Sequence, residues 1–525
     1  MSAIPAARHA RLFTFLAGIA AIVGAASARP GVRVCTWNIT NYAGGRTTDI
    51  ANVFYGVVPA PLALQGQSMS PDIVTIQEVI GEAAALEIKD ILNNAPGSPG
   101  DWEMEGFTLG PDTNSAFYYR TSKIENLGST VAVFGGNLAG APRHVMRYNW
   151  RPIGYASNAA TCALFGVHMK AGSTPTDQSR RQVEATAIRN HITNIFLPAF
   201  PGAHHSILGD FNINAANEAA YQTMVAPAAG VARVFDPIFS SGTWLDVAVF
   251  RFIHTQDPST SSGMDDRYDQ ILMSSGLLDG QGLSYIGNPS IAYSNSTWND
   301  PNHSYRAWGN DGTSFNNPLN VSTNSMVGNA IAQDIRDAAT PAGGHIPVFA
   351  DLRVPAIASP NTTTIDFGTV NVGDTAQQNL TVSNGGNVAL FGAAGIDTLN
   401  YTLTTGPGFT VAGGPFAAVA GAAGNVHVVT MDTSTPGPRN ATVVIISDDA
   451  DNPTRIVNVT GLVTTPPSCP GDVNGDSAVN TADLTVLLGN FGTSVTPNTG
   501  GDLDGNGFVN TADLTALLGA FGTIC

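Results

Sequence analysis

A chain of 525 residues is too long for one ordinary hydrophobic core, so we expect about three domains. Charged residues make up only 12% of the chain, while its 57 glycines and 32 prolines favour β-rich modules joined by loops. The net charge of -17 excludes a broadly basic surface, so any nucleic acid would have to bind through divalent cations or a local basic patch.

The first residues have the features of a secretory signal peptide. Arg8 and Arg11 precede an apolar run, residues 12–26, and Ala26-Ser27-Ala28 has the small residues of a cleavage site. The run is too short for a comfortable membrane span, although an uncleaved anchor stays open as the alternative. We therefore expect residues 1–28 to be removed and the mature chain to be secreted, extracytoplasmic or associated with the cell surface.

Apolar, strand-like runs in residues 30–356 repeatedly end or begin at a polar side chain of catalytic type. The run from Ile207 delivers Asp210 and Asn212 to one face, because residues i and i+2 of a strand point the same way. Leaving such groups buried and unpaired costs about 1–3 kcal/mol each, so convergence on one cleft explains the pattern better. The strand-end residues are Asn38, Glu78, His168, Asp210, Asn212, Asp269 and His345.

These residues belong to motifs that follow one order along the chain. The motifs are Thr36-Trp37-Asn38, Gln77-Glu78, His168-Met169-Lys170, Gly209-Asp210-Phe211-Asn212, Tyr268-Asp269-Gln270-Ile271-Leu272 and His345-Ile346-Pro347-Val348. In this order they resemble the endonuclease/exonuclease/phosphatase superfamily, which includes pancreatic-type deoxyribonucleases and neutral sphingomyelinases. The resemblance implies an α/β four-layer sandwich, two packed β-sheets flanked by helices. It also implies a divalent-metal-dependent phosphodiesterase that works by in-line attack of an activated water.

The resemblance carries a metal site and a transition-state site onto four of these residues. Glu78 matches the main Mg²⁺ (or Mn²⁺) ligand of the family, with Asn38 beside it. Asp210 and Asn212 match the residues that position the nucleophile and stabilise the transition state.

The proton-transfer and substrate-binding roles fall on a second group. His345 matches a base or phosphate binder that Asp269 orients, and His168 matches a second histidine, a candidate general acid. Arg120 and Arg151 lie in stretches similar to the family's and are expected as supporting substrate contacts.

The last motif departs from the family, which usually has Ser-Asp-His where this chain has Gly343-Gly344-His345. The missing carboxylate would normally help to hold a metal or the attacking water. Asp265 and Asp266 stand near another motif, but the sequence does not place them in the gap.

The resemblance favours a nuclease. A sphingomyelinase-like lipid phosphodiesterase, or a weakly active or non-catalytic binding protein because of Gly344, are the alternatives.

A long polar insert, residues 281–340, separates the last two motifs and carries several aromatic residues. An insert of this length is usually functional or disordered. Its aromatic side chains either line the substrate cleft, where they would stack on bases or sugars, or pack among themselves in a surface loop. The aromatic residues are Tyr285, Tyr293, Trp298, Tyr305 and Trp308.

The four cysteines fall into two groups. Cys35 and Cys162 lie in apolar strands of the first domain and are either buried thiols or a second bridge. Cys469 and Cys525 bracket the last module, which in an exported chain predicts a disulfide.

Residues 357–464 have the pattern of an immunoglobulin-like β-sandwich. Short alternating strands follow one another at regular spacing, with glycine and asparagine turns between them. Phe367-Gly368, Val372-Gly373 and Asn452-Pro453 resemble hallmarks of choice-of-anchor and abnormal-spindle/Hydin-type modules. This part contains no catalytic set, so a spacer or adhesion role is the default.

Residues 466–525 contain a duplicated acidic loop. Oxygen-bearing side chains fall at positions 1, 3, 5, 9 and 12, as in an EF-hand calcium loop, with Asp in place of Glu at the last position. Apolar residues at helical spacing follow each loop and predict two helices whose packing depends on Ca²⁺. The ligands expected are Asp472, Asn474, Asp476, Asn480 and Asp483, and Asp502, Asp504, Asn506, Asn510 and Asp513.

Loops of this kind without a preceding helix resemble type I dockerin modules. Thr481-Ala482 and Thr511-Ala512 follow the ninth loop position, where dockerins contact cohesins. The resemblance implies a cohesin-like protein as partner, besides a nucleic acid or phospholipid substrate for the first domain. Together the parts predict an exported phosphodiesterase that is tethered through its C-terminal module.

Overall fold

The structure of the protein is a computed structural model that describes residues 30–136, 143–339, 343–465 and 469–525. The predicted signal peptide, residues 1–28, lies outside the described residues. Within the described ranges, every helix is too short or too polar to cross a membrane.

The N-terminal region, residues 30–356, alternates strands and helices as the strand-like runs of its sequence predict. Its strands are β1 (Val32–Tyr42), β2 (Ile73–Val79), β3 (Trp102–Met104), β4 (Asn114–Arg120), β5 (Ile124–Val133), β6 (Val145–Pro152), β7 (Cys162–His168), β8 (His204–Asp210), β9 (Asp269–Met273), β10 (Ser284–Tyr285), β11 (Arg306–Ala307) and β12 (Val348–Arg353). Its α-helices are α1 (Thr47–Tyr55), α2 (Glu82–Asn94), α3 (Pro175–His191), α4 (Leu197–Ala199), α5 (Ala219–Val225) and α6 (Gly328–Ala338). Short 3-10 or π-helical turns occur at Asn158–Ala160, Ile192–Phe196, Ala248–Phe250 and Ser275–Leu277.

The strands form two sheets that pack face to face. Sheet A has the order β10-β12-β1-β2-β4-β3, with β11 also paired to β12, and sheet B has the order β5-β6-β7-β8-β9. Buried side chains from both sheets, such as Phe117 of β4 and Tyr148 of β6, belong to one hydrophobic cluster and stack at 4.7 Å between ring centroids. Helices α1, α2 and α6 contribute to this cluster, while α3 and α5 pack on sheet B in a second cluster. The expected α/β sandwich with flanking helices is therefore present.

The strand directions bring the predicted strand ends to one edge. In sheet A, β1 and β2 are parallel and β12 runs antiparallel to β1, so the ends of β1 and β2 and the start of β12 lie together. In sheet B, β7 is parallel to β8 and β9 is antiparallel, and His168, Asp210 and Asp269 are in register across the three strands. A single cleft at this edge therefore receives polar residues from both sheets.

The aromatic residues of the 281–340 insert pack in the core of the N-terminal region. Tyr285, Tyr305 and Trp308 are each no more than 2% exposed. Tyr293 and Trp298 are also buried and belong to the same cluster. Neither expected arrangement is found: the rings belong to the shared core and not to a self-packed surface loop, and they are not available for stacking on a substrate.

The middle region, residues 357–465, consists of two sheets around a shared core. Its elements are β13 (Ala358–Pro360), β14 (Thr364–Asn371), β15 (Gln377–Asn384), α7 (Val388–Phe391), a 3-10 turn (Ala393–Gly395), β16 (Leu399–Thr405), β17 (Phe409–Thr410), β18 (Phe416–Ala418), β19 (Asn425–Met431), β20 (Gly437–Ser447) and β21 (Thr454–Thr464). One sheet has the order β13-β15-β19-β17 and the other β14-β21-β20-β16-β18. The immunoglobulin-like assignment stays a prediction.

The middle region is packed firmly onto the N-terminal region. Phe391 and Ile396 are buried within the hydrophobic cluster of the N-terminal region. Gly31 N–H donates to the Phe391 carbonyl at 2.7 Å, and Val354 N–H donates to the Gly395 carbonyl at 2.9 Å. Gly31 precedes β1 and Val354 follows β12, so these contacts lie at the opposite ends of those strands from the cleft.

The C-terminal module consists of two acidic loops, each followed by a helix. The helices are α8 (Thr481–Gly489) and α9 (Thr511–Gly519). Leu487 and Leu517 form the small core together with Val479 and Val509. Cys469 and Cys525 are disulfide-bonded, while Cys35 and Cys162 are buried free thiols.

We predict that Phe391→Ala destabilises the N-terminal region, because the large ring fills a shared core. The expected loss in the free energy of unfolding is about 3–5 kcal/mol, the usual cost of truncating a buried phenylalanine. All six tryptophans lie in the N-terminal region, so their fluorescence during denaturant unfolding reports on it. Leu517→Ala, buried in the C-terminal module, is the control that should leave the transition in place. If Phe391→Ala unfolds at the same denaturant concentration as the wild type, the two regions are stable independently.

Candidate active site at the strand ends

Glu78 and Asp210 approach each other across the facing ends of the two sheets. Glu78 is the last residue but one of β2 and has a backbone φ of 62°, and its Oε2 accepts a 2.8 Å hydrogen bond from Asn41 N–H. A non-glycine residue in this left-handed region is strained and is commonly found where function requires it. Asp210, 1% exposed, ends β8 and faces Glu78.

The amide group of Asn38 joins the two carboxylates. Its Nδ2 donates at 3.0 Å both to Glu78 Oε1 and to Asp210 Oδ2. Its Oδ1 accepts from Thr40 N–H at 3.0 Å, which fixes the orientation of the amide. Asn38 was expected as a metal ligand, but its oxygen is turned away, so it positions the two carboxylates instead.

His168 completes this group from the end of β7. Its Nε2 lies 3.5 Å from Glu78 Oε1 and 3.5 Å from Asp210 Oδ2, and Thr113 Oγ1 lies 3.2 Å from its Nδ1. One donor atom from each of Glu78, His168 and Asp210 lies within 4.8 Å of the other two. Two carboxylate oxygens and one imidazole nitrogen are donors that suit Mg²⁺, Mn²⁺ or Zn²⁺.

His345 and Asp269 form the expected pair beside this group. His345 Nδ1 lies 2.7 Å from Asp269 Oδ2, and His345 Nε2 lies 3.8 Å from Asp210 Oδ2. Trp37 Nε1 donates to the His345 carbonyl at 2.9 Å, and Thr255 Oγ1 accepts from Asp269 N–H at 3.0 Å. The ring is therefore held with one nitrogen on its acid and the other facing the cleft.

The surroundings give the two histidines opposite protonation states. Burial would lower the pKa of His345, but the charges of Asp269 and Asp210 outweigh it and raise that pKa to about 10. Burial, together with Arg143 and His345, holds the pKa of His168 well below its usual range. His345 is thus the imidazolium at neutral pH, and neutral His168 is better suited to bind a metal than to act as the general acid expected of it.

Asn212 forms hydrogen bonds that hold the residues around the cleft in place. It has a φ of 51°, and its N–H donates to Asp210 Oδ1 at 2.9 Å. Its Nδ2 donates to the Met169 carbonyl at 3.1 Å, and only 8% of the residue is exposed. In this arrangement Asn212 orients Asp210 and the chain after His168.

Two arginines, Arg143 and Arg181, hydrogen-bond to the backbone at the end of β7 and in the loop that follows it. Neither was predicted to belong to the site. Arg143 Nη1 donates to the carbonyls of His168 and Met169 at 3.3 and 3.1 Å. Arg181, fully buried, donates to the carbonyls of Lys170 and Gly172 at 2.6 and 2.7 Å and pairs with Glu218 at 2.6 Å. Arg180 and Arg181 stand out in the sequence as two basic residues in a helical stretch. The burial of Arg181 depends on tertiary packing, which the sequence does not reveal.

Arg120 and Arg151 are not at the cleft, which corrects the expectation that they contact substrate. Arg120 ends β4 and pairs with Asp72 and Asp101 at 3.3 and 2.9 Å. Arg151 pairs with Glu125 at 2.7 Å near the end of β6. Both lie at the opposite ends of their strands from the catalytic edge, because β4 and β6 run antiparallel to β2 and β7.

The backbone at Gly343 and Gly344 leaves no room for a side chain directly before His345. Gly343 and Gly344 have φ values of 73° and 68°. A Cβ on Gly344 would lie 2.2 Å from the Ala339 carbonyl oxygen, and one on Gly343 would lie 2.0 Å from Asp257 Oδ1. The Asp257 carboxylate therefore occupies the space that a side chain at position 343 would need.

Comparison with known protein families gives one match, near the C-terminus of the chain. Residues 470–520 match the family model of the dockerin type I domain, which confirms the resemblance of the C-terminal module. No curated protein matches the chain in sequence.

Solved structures similar to the chain cover about three-fifths of it. An endonuclease/exonuclease/phosphatase from Bacteroides vulgatus is 14% identical with a TM-score of 0.37, covering 62% of this chain and 98% of its own. Truncated Caenorhabditis elegans TDP2 is 14% identical with a TM-score of 0.35, covering 61% and 96%. The human Nocturnin catalytic domain with bound sulfate is 12% identical with a TM-score of 0.31, covering 62% and 96%.

A buried acid, Glu184 of α3, lies beneath the site and is not used by it. It is 1% exposed, and neither carboxylate oxygen has a hydrogen-bond partner. Burial raises the pKa of Glu184 to about 8, although the nearby charge of Arg143 opposes the rise. The folded protein therefore keeps a proton on Glu184 that the unfolded chain releases near the ordinary glutamate pKa of 4.5.

We predict that Glu184→Gln flattens the pH dependence of stability. Because the folded pKa is raised, the contribution of Glu184 is fully present below about pH 4.5 and is lost as pH rises through about 8. The loss is on the order of 5 kcal/mol at most. The unfolding midpoint of the variant, measured from pH 5 to 9, should fall less than that of the wild type. Exposed Glu82→Gln is the control, and equal slopes for both variants would contradict the assignment.

Proposed function

We propose that the N-terminal region is a divalent-metal-dependent phosphodiesterase. The observation that supports this best is the close grouping of Glu78, His168 and Asp210, within 4.8 Å of one another, beside the His345–Asp269 pair. A metal-binding carboxylate group next to an imidazolium is suited to a phosphodiester, whose hydrolysis needs charge neutralisation and proton transfer. The sequence favours a nuclease within this class, and that choice stays a prediction.

The chain's own residues supply most of the chemistry. His345 donates a proton from Nε2 toward a phosphoryl or leaving oxygen, while Asp269 keeps the ring oriented and charged. Burial, against the opposing charge of His345, raises the pKa of Asp210 to about 6, so a cation bound beside Asp210 would favour the charged carboxylate. A divalent metal held by Glu78, Asp210 and His168 would neutralise charge on the phosphate and help to ionise that water.

We predict that Glu78→Ala and His345→Ala each lower the hydrolysis of a phosphodiester by about 10²–10⁴-fold in the presence of Mg²⁺ or Mn²⁺. The full chain would be offered DNA, RNA, sphingomyelin and a generic bis-ester, with and without a chelator. Glu103→Ala, on the exposed second residue of β3, is the matched control and should retain wild-type turnover. Activity that survives both site substitutions would defeat the assignment of the site.

We propose calcium sites in the C-terminal module as well. One oxygen from each of Asp472, Asp476 and Asp483 lies within 4.8 Å of the others, and so do oxygens of Asp502, Asp504 and Asp513. Three carboxylates at this distance, placed in a short loop, suit Ca²⁺ rather than a basic side chain. With the predicted signal peptide, this supports export and tethering through a cohesin-like partner.

The loop asparagines have a role in starting the helices. Asn480 and Asn510 are the N-caps of α8 and α9, and each side chain accepts from the N–H two residues later. Asp483 Oδ1 accepts from Val473 N–H and Asn474 N–H, which ties the helix to its loop. The other two asparagines expected as ligands also lie in the loops, Asn474 in the first loop and Asn506 in the second.

We predict that Ca²⁺ increases the helix content of residues 466–525, because neutralising the acidic loops allows the two helices to pack. Circular dichroism during a calcium titration measures this. Asp483→Asn with Asp513→Asn should abolish the gain, whereas Thr485→Ala, on the exposed face of α8, should keep it. An unchanged spectrum for the wild-type module would overturn the assignment.

A further inference from the structure

Thr40 has a strained backbone conformation beside the candidate metal site. Its φ is 55°, in the left-handed region that a β-branched residue rarely adopts, and the next residue, Asn41, has a φ of 44°. The pairing of β1 with β2 shifts in register here, between Asn38 and Tyr42. Irregularities of this kind re-aim side chains and are common next to active sites. Glycine would adopt the same φ without strain, so a threonine at this position is unfavourable for the fold alone.

Three hydrogen bonds fix the backbone around Thr40. Its N–H donates to Asn38 Oδ1 at 3.0 Å, and the N–H of Asn41 donates to Glu78 Oε2 at 2.8 Å. Its carbonyl accepts from Arg46 Nη2 at 3.3 Å. The Cα atom of Thr40 lies between the first two N–H groups along the chain. The side chain of Thr40 therefore starts directly beside Asn38 and Glu78.

The hydroxyl group of Thr40 is buried without a partner. Thr40 is only 6% exposed, and in the part of the chain that the structure describes its Oγ1 has no hydrogen-bond partner. Burying a hydroxyl group without a hydrogen bond is unfavourable, and such a group commonly marks the place of a bound water or ion. Strain and an unsatisfied hydroxyl group thus coincide at one residue, next to Glu78.

The candidate metal site has room for a further oxygen ligand. Glu78, His168 and Asp210 offer one donor atom each. Mg²⁺ and Mn²⁺ favour octahedral coordination with mainly oxygen ligands, so the remaining ligands must be water molecules or neutral protein oxygens. The amide oxygen of Asn38 is engaged by the N–H of Thr40. The hydroxyl oxygen of Thr40, in contrast, is unengaged.

We propose that the hydroxyl oxygen of Thr40 completes the metal site, as a neutral ligand that binds the divalent cation directly or through one bound water. This inference rests on the proposed phosphodiesterase function and adds a residue to its metal site. A hydroxyl oxygen supplies a ligand without adding to the negative charge of Glu78 and Asp210. The bound cation would in turn satisfy the hydroxyl group, which the fold leaves unpaired.

Three substitutions separate the hydroxyl group from the strained backbone. Thr40→Ser keeps the hydroxyl group and removes the branching methyl group. Thr40→Val keeps the shape and the branching but has no hydroxyl group. Thr40→Gly removes the whole side chain and relieves the strain.

Thr161→Val is the matched control for these variants. Thr161 is 1% exposed, and its hydroxyl group donates to the Ser157 carbonyl at 3.1 Å. It lies just before β7, at the opposite end of that strand from His168. The substitution therefore removes a buried, hydrogen-bonded hydroxyl group far from the cleft.

Denaturant unfolding of the full chain, followed by tryptophan fluorescence with and without Mn²⁺, tests the proposal. All six tryptophans lie in the N-terminal region, so ions bound at the C-terminal loops do not dominate the signal. An ion that binds the folded state raises the unfolding midpoint by an amount that gives its affinity. Without metal, we expect Thr40→Val and Thr40→Gly to be at least as stable as the wild type, because the unpaired hydroxyl group is gone.

With Mn²⁺ the variants should diverge. We expect Thr40→Val and Thr40→Gly to bind Mn²⁺ about tenfold more weakly, whereas Thr40→Ser should stay within about twofold of the wild type. The Mn²⁺ concentration for half-maximal hydrolysis of a generic bis-ester should rise by the same factor, while the rate at saturating Mn²⁺ changes little. Thr161→Val should lower the midpoint equally with and without Mn²⁺ and leave the affinity unchanged.

The outcomes separate this inference from the proposed function. Wild-type Mn²⁺ affinity in Thr40→Val, or a loss of stability in that variant that is equal with and without Mn²⁺, overturns the role of Thr40 alone. Glu78→Ala should abolish the Mn²⁺-dependent rise of the midpoint. A wild-type midpoint that Mn²⁺ does not raise above that of Glu78→Ala overturns the metal site, and the role of Thr40 with it.

Discussion

Two carboxylates, those of half-buried Glu78 and buried Asp210, share the two hydrogens of one amide group. Asn38 donates to both at 3.0 Å, so two like charges are held close together at the edge where the sheets meet. This arrangement is unfavourable without compensating positive charge. The imidazolium of His345 supplies part of that charge, and a divalent cation would supply the rest. This excess of negative charge is the main support for the metal site proposed above.

The middle region packs at a distance from this group of carboxylates. The middle region packs against the beginning of β1 and the end of β12, while the cleft lies at the other ends of the same strands. Phe391 and Ile396 complete the core beneath sheet A. The middle region thus packs at the end of these strands that is opposite the candidate site, and its spacer or adhesion role stays a prediction.

The sequence predicts the cleft well, because strand-end polar residues are a local signal. Asp210, Asp269 and His345 come together as their positions at the ends of strands imply. It could not predict the orientation of Asn38, which depends on Thr40 N–H, or the burial of Arg181 against Glu218. It also could not place Asp257, which is remote from Gly343 in sequence and reaches it only through the bridge between Gln256 and His345. Arg120 and Arg151 were misplaced because a basic residue on a strand does not reveal which end of the sheet it occupies.

We propose that Glu78, His168 and Asp210 hold a divalent metal next to His345. Anomalous diffraction from crystals of the protein soaked in Mn²⁺ tests it most directly. We expect an anomalous peak bounded by Glu78, Asp210 and His168 in the wild type, and loss of this peak in Glu78→Ala while peaks at the C-terminal loops are unaffected. A wild-type cleft without a peak, in crystals whose C-terminal loops do bind the ion, would contradict the account.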